Sequence, residues 1–406
     1  MSSIHRSKSN HQTVFNQIID LIPAKILQKC IHVAGSDIGF RKYTTRSQLI
    51  STLFGQLNSC YSLRDITLGM NVDTIFLKDL SLDQSPARST MSDGNSKRSY
   101  KVYEMLFNDL VSHYKRLFAK TEKYKIIKEI QGKTVKLVDS TTMTVCLGLI
   151  NWAPFRKSKG GIKAHVSFDL ATQIPDCVYL SDARLDDRKA LPYLNIGYDN
   201  ILVYDRGYFD FAFFKDRLDH KADFVTRMKT KVGYEVVNRM KVAENTTVIS
   251  DEQIKMQGDK ARTTGLNKHV LRHVVVYDEE NNCNVELLSN NLEWSAETIS
   301  KLYKSRWEIE LFFKGIKQNL QIKTFLGTSE NACKSQIYIA MIAFLLIELI
   351  RRSISKANHG FSNFVNLIRI CLLHYHSLSY VVNNIKALSQ KVRIKAEENN
   401  QFQFRI

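Results

Sequence analysis

The sequence predicts an α/β protein with a helical N-terminal region and a β-rich stretch set inside a core. Three observations carry that expectation. The hydrophobic period changes from helical to strand-like at Lys133. A continuous apolar run, Ile201-Leu-Val-Tyr-Asp205, is stopped by Arg206-Gly207. Helical spacing resumes at Ser295 after roughly 70 residues of β-like segments separated by polar loops. Hydrophobic residues make up 44% of the 406, enough to bury a sizeable core and to exclude wholesale disorder. Five prolines and 17 glycines exclude a collagenous or low-complexity architecture.

Residues 1–128 read as helical and basic, with 19 Lys and Arg against 10 Asp and Glu, half of the chain's net charge of +18. Such an excess calls for a polyanionic partner, nucleic acid first and an anionic membrane surface second. Leu49, Ile50, Leu53 and Leu57 fall at helical spacing. Pro86-Ala-Arg-Ser-Thr breaks that pattern and leads into a Ser/Asn-rich turn, followed by a helix through Tyr103, Leu106, Phe107, Leu110 and Val111. Arg88, Lys97, Arg98 and Lys101 surround the turn, an arrangement suited to phosphate contact or simply to a solvated face.

Residues 129–223 form the first part of the core. Strands are expected at Val135–Asp139, His165–Asp169, Asp176–Leu180 and Ile201–Asp205, with a helix over 209–220. Lys157, Lys159 and Lys163 around Gly160-Gly161 suggest a basic loop between the first two strands. Residues 224–296 read as a small β-rich unit, with β-like segments at Tyr234–Val237, Thr247–Ile249, His269–Tyr277 and Val285–Leu288. Residues 297–375 return to helix and complete the core, and 376–406 form a mixed polar tail. The apolar run Ile337–Ile350 carries Glu348, ends at Arg351-Arg352 and falls short of the roughly 20 residues a bilayer requires, so a buried core helix is expected. Met1–Gln12 is polar and lacks an apolar signal core. The seven cysteines, at 30, 60, 146, 177, 283, 333 and 371, show no metal-ligand spacing and read as reduced, mostly buried thiols of a cytosolic protein.

Two of the expected strands end in aspartate, at Asp139 and Asp205. Carboxylates at the carboxyl ends of sheet strands project into the crevice where α/β sheets bind ligands, and paired hard oxygens suit Mg²⁺ or Mn²⁺. Aspartate is also an ordinary strand-closing residue. The segment Lys301–Leu320 adds a third element. At about 100° per residue, Tyr303, Arg306, Glu310 and Lys317 share a sector about 60° wide. Leu302, Ile309, Phe312, Phe313, Ile316 and Leu320 occupy the neighbouring sector and would pack on the sheet. A polar stripe beside the buried face can line a cleft, whereas a solvated helix places its charges opposite the core. An i,i+4 pair of Arg306 and Glu310 is compatible with either arrangement but leaves Tyr303 and Lys317 unexplained. Trp307 is expected in the core.

Tyr303, Arg306, Glu310 and Lys317 stand in the spacing Y-x2-R-x3-E-x6-K. With Val-Asp139-Ser-Thr-Thr and Val-Tyr-Asp205-Arg-Gly-Tyr, the chain resembles, over most of its length, the bacterial insertion-sequence transposases of the DDE class that carry this signature. The resemblance implies an RNase H-like catalytic core with a β-rich insertion between the second and third acids. It implies catalytic carboxylates at Asp139, Asp205 and Glu310, holding two Mg²⁺ ions, with Mn²⁺ as a substitute. Arg306 and Lys317 would then grip phosphates near the scissile bond, and Tyr303 would hydrogen-bond one. The implied partners are double-stranded DNA, as terminal inverted repeats and target, and a second copy of the chain on that DNA. The N-terminal 128 residues would read the repeats. The implied setting is the bacterial cytoplasm and nucleoid, with no membrane. A non-catalytic DNA-binding derivative and a nuclease that cuts without joining remain the alternatives. None of Trp152, Trp294 and Trp307 lies in a motif that marks it as a base-stacking residue.

Overall fold

The computed structural model describes residues 12–119, 128–130, 132–146, 152–156, 159–244, 246–353 and 360–383. The polar N-terminus before Gln12, Lys157 and the tail beyond Asn383 lie outside the described residues. The chain opens with seven helices, α1 (Val14–Ile19), α2 (Ala24–Ala34), α3 (Thr45–Leu57), α4 (Leu63–Met70), α5 (Thr74–Asp79), α6 (Arg88–Lys97) and α7 (Lys101–Ala119). Strands β1 (Thr134–Cys146), β2 (Pro154–Arg156), β3 (Lys159–Asp169) and β4 (Ile174–Asp182) follow, then α8 (Asp187–Ala190), β5 (Asn200–Tyr204), α9 (Phe211–Asp219) and β6 (Phe224–Arg227). Next come β7 (Tyr234–Arg239), β8 (Val248–Met256), α10 (Asp259–Thr264), β9 (Leu271–Asp278) and β10 (Cys283–Ser289). Five helices close the described chain: α11 (Ala296–Lys304), α12 (Trp307–Asn319), α13 (Glu330–Ser353), α14 (Phe361–Cys371) and α15 (Leu378–Asn383).

These elements form two compact units. One comprises the chain up to Lys115 together with the chain from Gly315; the other is continuous from Arg116 to Lys314. The first unit is helical and is built around α13. This helix of 24 residues contains the apolar run, packs against α3, α6 and α14, and is buried from Ala332 to Ile350. Its length and composition would suffice to cross a bilayer, yet its whole apolar window is buried inside the protein. Glu348 is buried without being a stray charge: Arg351 Nη2 lies 2.7 Å and Arg352 Nε 2.9 Å from its Oε2. Burial pushes the Glu348 carboxyl up, and the two guanidinium groups outweigh it and hold the pKa below the usual value.

The Ser/Asn-rich stretch expected as a turn is helical, as α6. Tertiary contacts override its weak propensity. Met91, Gly94 and Asn95 are buried, Gln48 donates to Asn95, and a Cβ on Gly94 would stand 2.5 Å from the ring of Tyr43. Arg98 corrects the expectation of a surface cation. It is 1% exposed and donates to the carbonyl of Ser36 at 3.0 Å, to Gln48 at 2.5 Å and to the carbonyl of Tyr43, with its guanidinium 4.1 Å from the Phe40 ring. Of its neighbours, Lys97 pairs with Asp93 and Lys101 with Glu104.

The second unit is a mixed α/β domain on a ten-stranded sheet with the order β2-β3-β1-β5-β6-β10-β9-β8-β7, and β4 pairs with β3. β1, β5 and β6 run parallel and the remaining pairs are antiparallel. The strands of 224–296 do not form a sheet of their own. β10 pairs with β6, so the meander β10-β9-β8-β7 extends the central sheet. Gly160-Gly161 lies within β3 rather than in a loop, and β1 continues past Asp139 to Cys146. β5 is buried along its whole length, as its uninterrupted apolar run requires between layers. Its inner face joins Phe214 of α9, Phe224 of β6 and Leu271 of β9 in one core. Among the cysteines, Cys30, Cys60, Cys333 and Cys371 are buried and Cys283 is exposed.

Candidate active site

Register brings the two strand-borne aspartates side by side. Val138 of β1 pairs in parallel with Tyr204 of β5, so the next residue on each chain is Asp139 and Asp205. The apolar residues before them hold the strands in the core, while the carboxylates emerge where β5 ends. Asp205 opens the turn Arg206–Tyr208, in which the Tyr208 N–H donates to the Asp205 carbonyl.

The third element arrives as two helices rather than one. The segment expected to run unbroken through 301–320 breaks at Ser305-Arg306, between α11 and α12. The Ser305 hydroxyl donates to the Leu302 carbonyl at 2.6 Å, and three-residue turns (Arg306 N–H to Tyr303, Glu308 N–H to Ser305) tighten the backbone there. The apolar side behaves as its spacing implies: Leu302, Ile309, Phe312, Phe313, Ile316 and Leu320 are all buried. Trp307 does not join them. It starts α12 and is 58% exposed, which corrects its placement in the core. Trp294 is the buried tryptophan, with Lys133 Nζ over its ring.

Tyr303, Arg306 and Glu310 meet the two aspartates. The Tyr303 hydroxyl donates to Asp205 Oδ1 at 3.2 Å. Arg306 donates from Nη1 to Asp139 Oδ2 at 3.3 Å and from Nη2 to Glu310 Oε1 at 2.5 Å, and its guanidinium lies 5.6 Å from the Tyr303 ring. Its Nε–H is buried with no hydrogen-bond partner among the described residues. Lys317 lies in the last turn of α12, within the first unit. It is half-buried, and burial lowers its pKa, with Lys323 adding to the effect.

Electrostatics set Asp139 apart. Burial raises its pKa to about 6, and Asp205 and Glu310 push the same way, against the Ser140 N–H and Arg306. Burial also pushes Tyr303 up to about 12, so it stays a neutral donor. Arg306 is held above its usual value: burial opposes this, and Tyr303, Asp139 and Glu310 together prevail. Arg306 thus bridges the carboxylates of Asp139 and Glu310 while Tyr303 holds that of Asp205, and carboxylate oxygens are donors that fit a divalent cation of the Mg²⁺ type. Among the described residues, no three His, Cys, Asp or Glu side chains stand close enough together to hold an ion as they are.

Residues 130–346 match the model of a family described as the transposase DDE domain. The chain belongs to that family. Residues 10–80 match a second family, described only as a domain of unknown function. The chain is 29% identical over 305 residues to a putative transposase, y4zB, of Sinorhizobium fredii, covering 73% of this chain and 80% of that one. It is 26% identical over 369 residues to a probable transposase for insertion sequence element IS5377 of Geobacillus stearothermophilus, covering 89% and 91%. A putative transposase for insertion sequence element IS4SA of Synechocystis is 26% identical over 275 residues, covering 64% and 71%. The protein is therefore a DNA transposase, an enzyme that cleaves and transfers DNA strands, in a family whose chemistry depends on divalent metal ions.

Sequence reasoning missed the surroundings of Asp139 in this transposase. The Ser140 N–H donates to Asp139 Oδ1 at 2.7 Å, and the Ser140 hydroxyl donates to Asp187 Oδ1 at 2.9 Å. Lys163, expected as a loop cation, donates to the Leu185 carbonyl at 2.9 Å and to Asp187 at 3.2 Å. The only hint in the sequence is a second acidic pair, Asp186-Asp187, soon after a strand.

Proposed function

We propose that this transposase binds the ends of an insertion sequence, cleaves phosphodiester bonds there and joins 3′ hydroxyl ends to target DNA. In this reading the mixed sheet is an RNase H-like core, and Asp139, Asp205 and Glu310 are its catalytic carboxylates. They would hold two Mg²⁺ ions, with Mn²⁺ as a substitute; the metal, when bound, supplies Lewis-acid activation of the attacking oxygen and stabilises the leaving one. The observation that supports this best is the meeting of the three acids around Arg306 and Tyr303, residues carried by the middle of β1, the end of β5, α11, the break after it and α12.

The chain's own residues divide the work. Asp139, Asp205 and Glu310 supply negative charge that must be neutralised before a DNA phosphate can approach. Arg306 keeps one unpaired donor, its buried Nε–H, and its two terminal nitrogens, now on Asp139 and Glu310, would turn to a phosphate oxygen once those carboxylates held metal. Tyr303 keeps its proton and donates it in a hydrogen bond. Lys317 adds a further cation on α12 for the DNA backbone. The excess of positive charge in residues 1–128 suits contact with the terminal inverted repeats, and synapsis of two ends suits a homodimer assembled on DNA in the bacterial cytoplasm.

The test is a strand-transfer assay on DNA taken from the flanks of the gene, with intact and pre-cut ends and Mg²⁺. Wild-type protein should cut the intact ends and join the pre-cut ones. Asp139→Ala, Asp205→Ala and Glu310→Ala should each abolish both steps with DNA binding retained. Cutting without joining would identify a nuclease, and wild-type rates in any folded variant would remove that residue from the site.

A further inference from the structure

Asp187 touches side chains from two strands at the candidate site and stands beside the turn that follows Asp205. Its Oδ1 accepts from the Ser140 hydroxyl at 2.9 Å on β1 and from Lys163 Nζ at 3.2 Å on β3. His165, two residues along β3, turns Nδ1 toward the same oxygen at 3.5 Å; it is fully buried, and burial lowers its pKa to about 4, against the pull of Asp187. The other carboxylate oxygen faces the turn that leaves Asp205. A Cβ on Gly207 would stand 3.4 Å from Asp187 Oδ2, in van der Waals contact, so that turn passes close to the carboxylate. Ser140 adjoins Asp139 and holds Asp139 Oδ1 through its own N–H. The buried Tyr208 hydroxyl has its pKa raised first by burial and then by Asp187, Asp139 and Asp205, which sets it in the field of all three.

From this arrangement we infer that Asp187 is a positioning residue of the reaction, whose carboxylate locks Ser140 and the turn after Asp205 so that Asp139 and Asp205 keep a fixed separation. The inference rests on the reading of Asp139 and Asp205 as the catalytic acids. A carboxylate at a strand end is directed only as well as its backbone is held. Catalytic groups lose efficiency with displacements of order 0.5–1 Å. Asp187 is suited to the task because its charge is balanced locally by Lys163, which is in turn tethered to the Leu185 carbonyl. An ordinary ion pair with Lys163 would account for one of these contacts. It would not account for the hydrogen bond to the residue following Asp139 or for the close approach of the residue two after Asp205.

The experiment uses the full chain, Mg²⁺ and duplex DNA carrying the ends that flank its gene. Asp187→Ala should lower the cleavage rate about 10- to 100-fold, as loss of a partner behind a ligand does elsewhere, with affinity for the DNA end unchanged. Asp187→Asn keeps an acceptor for the Ser140 hydroxyl and should recover part of that loss. Ser140→Ala should slow cleavage, and adding it to Asp187→Ala should cost nothing further, because both changes cut one link. Folded Asp187→Ala at the wild-type rate, or single losses that multiply in the double variant, would overturn the inference. If Asp187→Ala does not fold, wild-type rates in both Asp187→Asn and Ser140→Ala would overturn it equally. Asp139→Ala, run alongside, separates the two levels: wild-type cleavage by that variant refutes the acid assignment itself, whereas its inactivity beside a fully active Asp187→Ala refutes only the positioning role.

Discussion

Replacing Asp139 by Asn should stabilise the folded protein at neutral pH in the absence of divalent ions, even as it destroys cleavage. The carboxyl is raised from an ordinary value of 3.8 to about 6, chiefly by burial. A folded-state pKa above the unfolded one means that the native protein holds its proton longer than the unfolded chain. Ionisation therefore weakens the fold as pH rises through the interval from about 4 to about 6, and the full cost is present above it. Two units at about 1.4 kcal/mol each give a cost of up to about 3 kcal/mol at pH 7. Asparagine removes the charge and keeps an acceptor for Arg306. Chemical denaturation of wild type and Asp139→Asn, in chelator, at pH 3.5 and pH 7.5, measures the effect. The gap in favour of the variant should be small at the lower pH and open by about 2–3 kcal/mol at the higher one. Adding Mg²⁺ should narrow it from the wild-type side, since an ion bound to the native state stabilises it. A variant less stable than wild type at pH 7.5, or a gap that does not change with pH, would refute the electrostatic account of the site.

Glu310→Gln should impair cleavage as severely as Glu310→Ala, because a neutral amide is a poor ligand for Mg²⁺, while the salt dependence of DNA binding stays the same; single-turnover cleavage and a salt titration measure both. Arg306→Ala should weaken binding of cleaved-end DNA and reduce the log–log salt slope by about 0.9, the share of one phosphate contact. A surface i,i+4 pair would instead leave the slope intact. Arg98→Ala should lower unfolding free energy by about 3 kcal/mol or more, since three buried acceptors lose a charged donor, and equilibrium denaturation reads this directly. A fragment of residues 1–128 should show no cooperative thermal transition by circular dichroism, because the face of α3 covered by α13 would be exposed to water.

The candidate site was more legible in the sequence than the helical unit. Asp139 and Asp205 could be picked out because each ends an apolar run, and parallel pairing of β1 with β5 makes them neighbours. Tyr303, Arg306 and Glu310 stayed together despite the break at Ser305-Arg306, since a short tightened turn preserves which side of the chain faces the sheet. What was hidden depends on contacts distant in sequence. Arg98 reads as a surface cation until the carbonyls of Ser36 and Tyr43 are seen to surround it. The α6 stretch lacks helical pattern because Gly94 serves the ring of Tyr43 rather than its own helix. Trp307, which no motif sets apart from an ordinary core residue, starts α12 and is exposed. The β-rich stretch was recognisable strand by strand, whereas its continuity with the central sheet rests on the β10–β6 pairing, which no local pattern encodes.

The helical unit also imposes an order of events on synthesis. Its opening helices leave the ribosome long before α13, which lies about 200 residues downstream; at about 5–20 residues per second that is a wait of roughly 10–40 s. Throughout it, the side of α3 that packs on α13 has no cover from that helix and is available to chaperones or to other nascent copies. The continuous unit from Arg116 to Lys314 can complete its sheet within the same interval. The sheet-bearing unit is thus finished before the helical unit can close, and a chain interrupted near residue 314 would carry Asp139, Asp205 and Glu310 without α13.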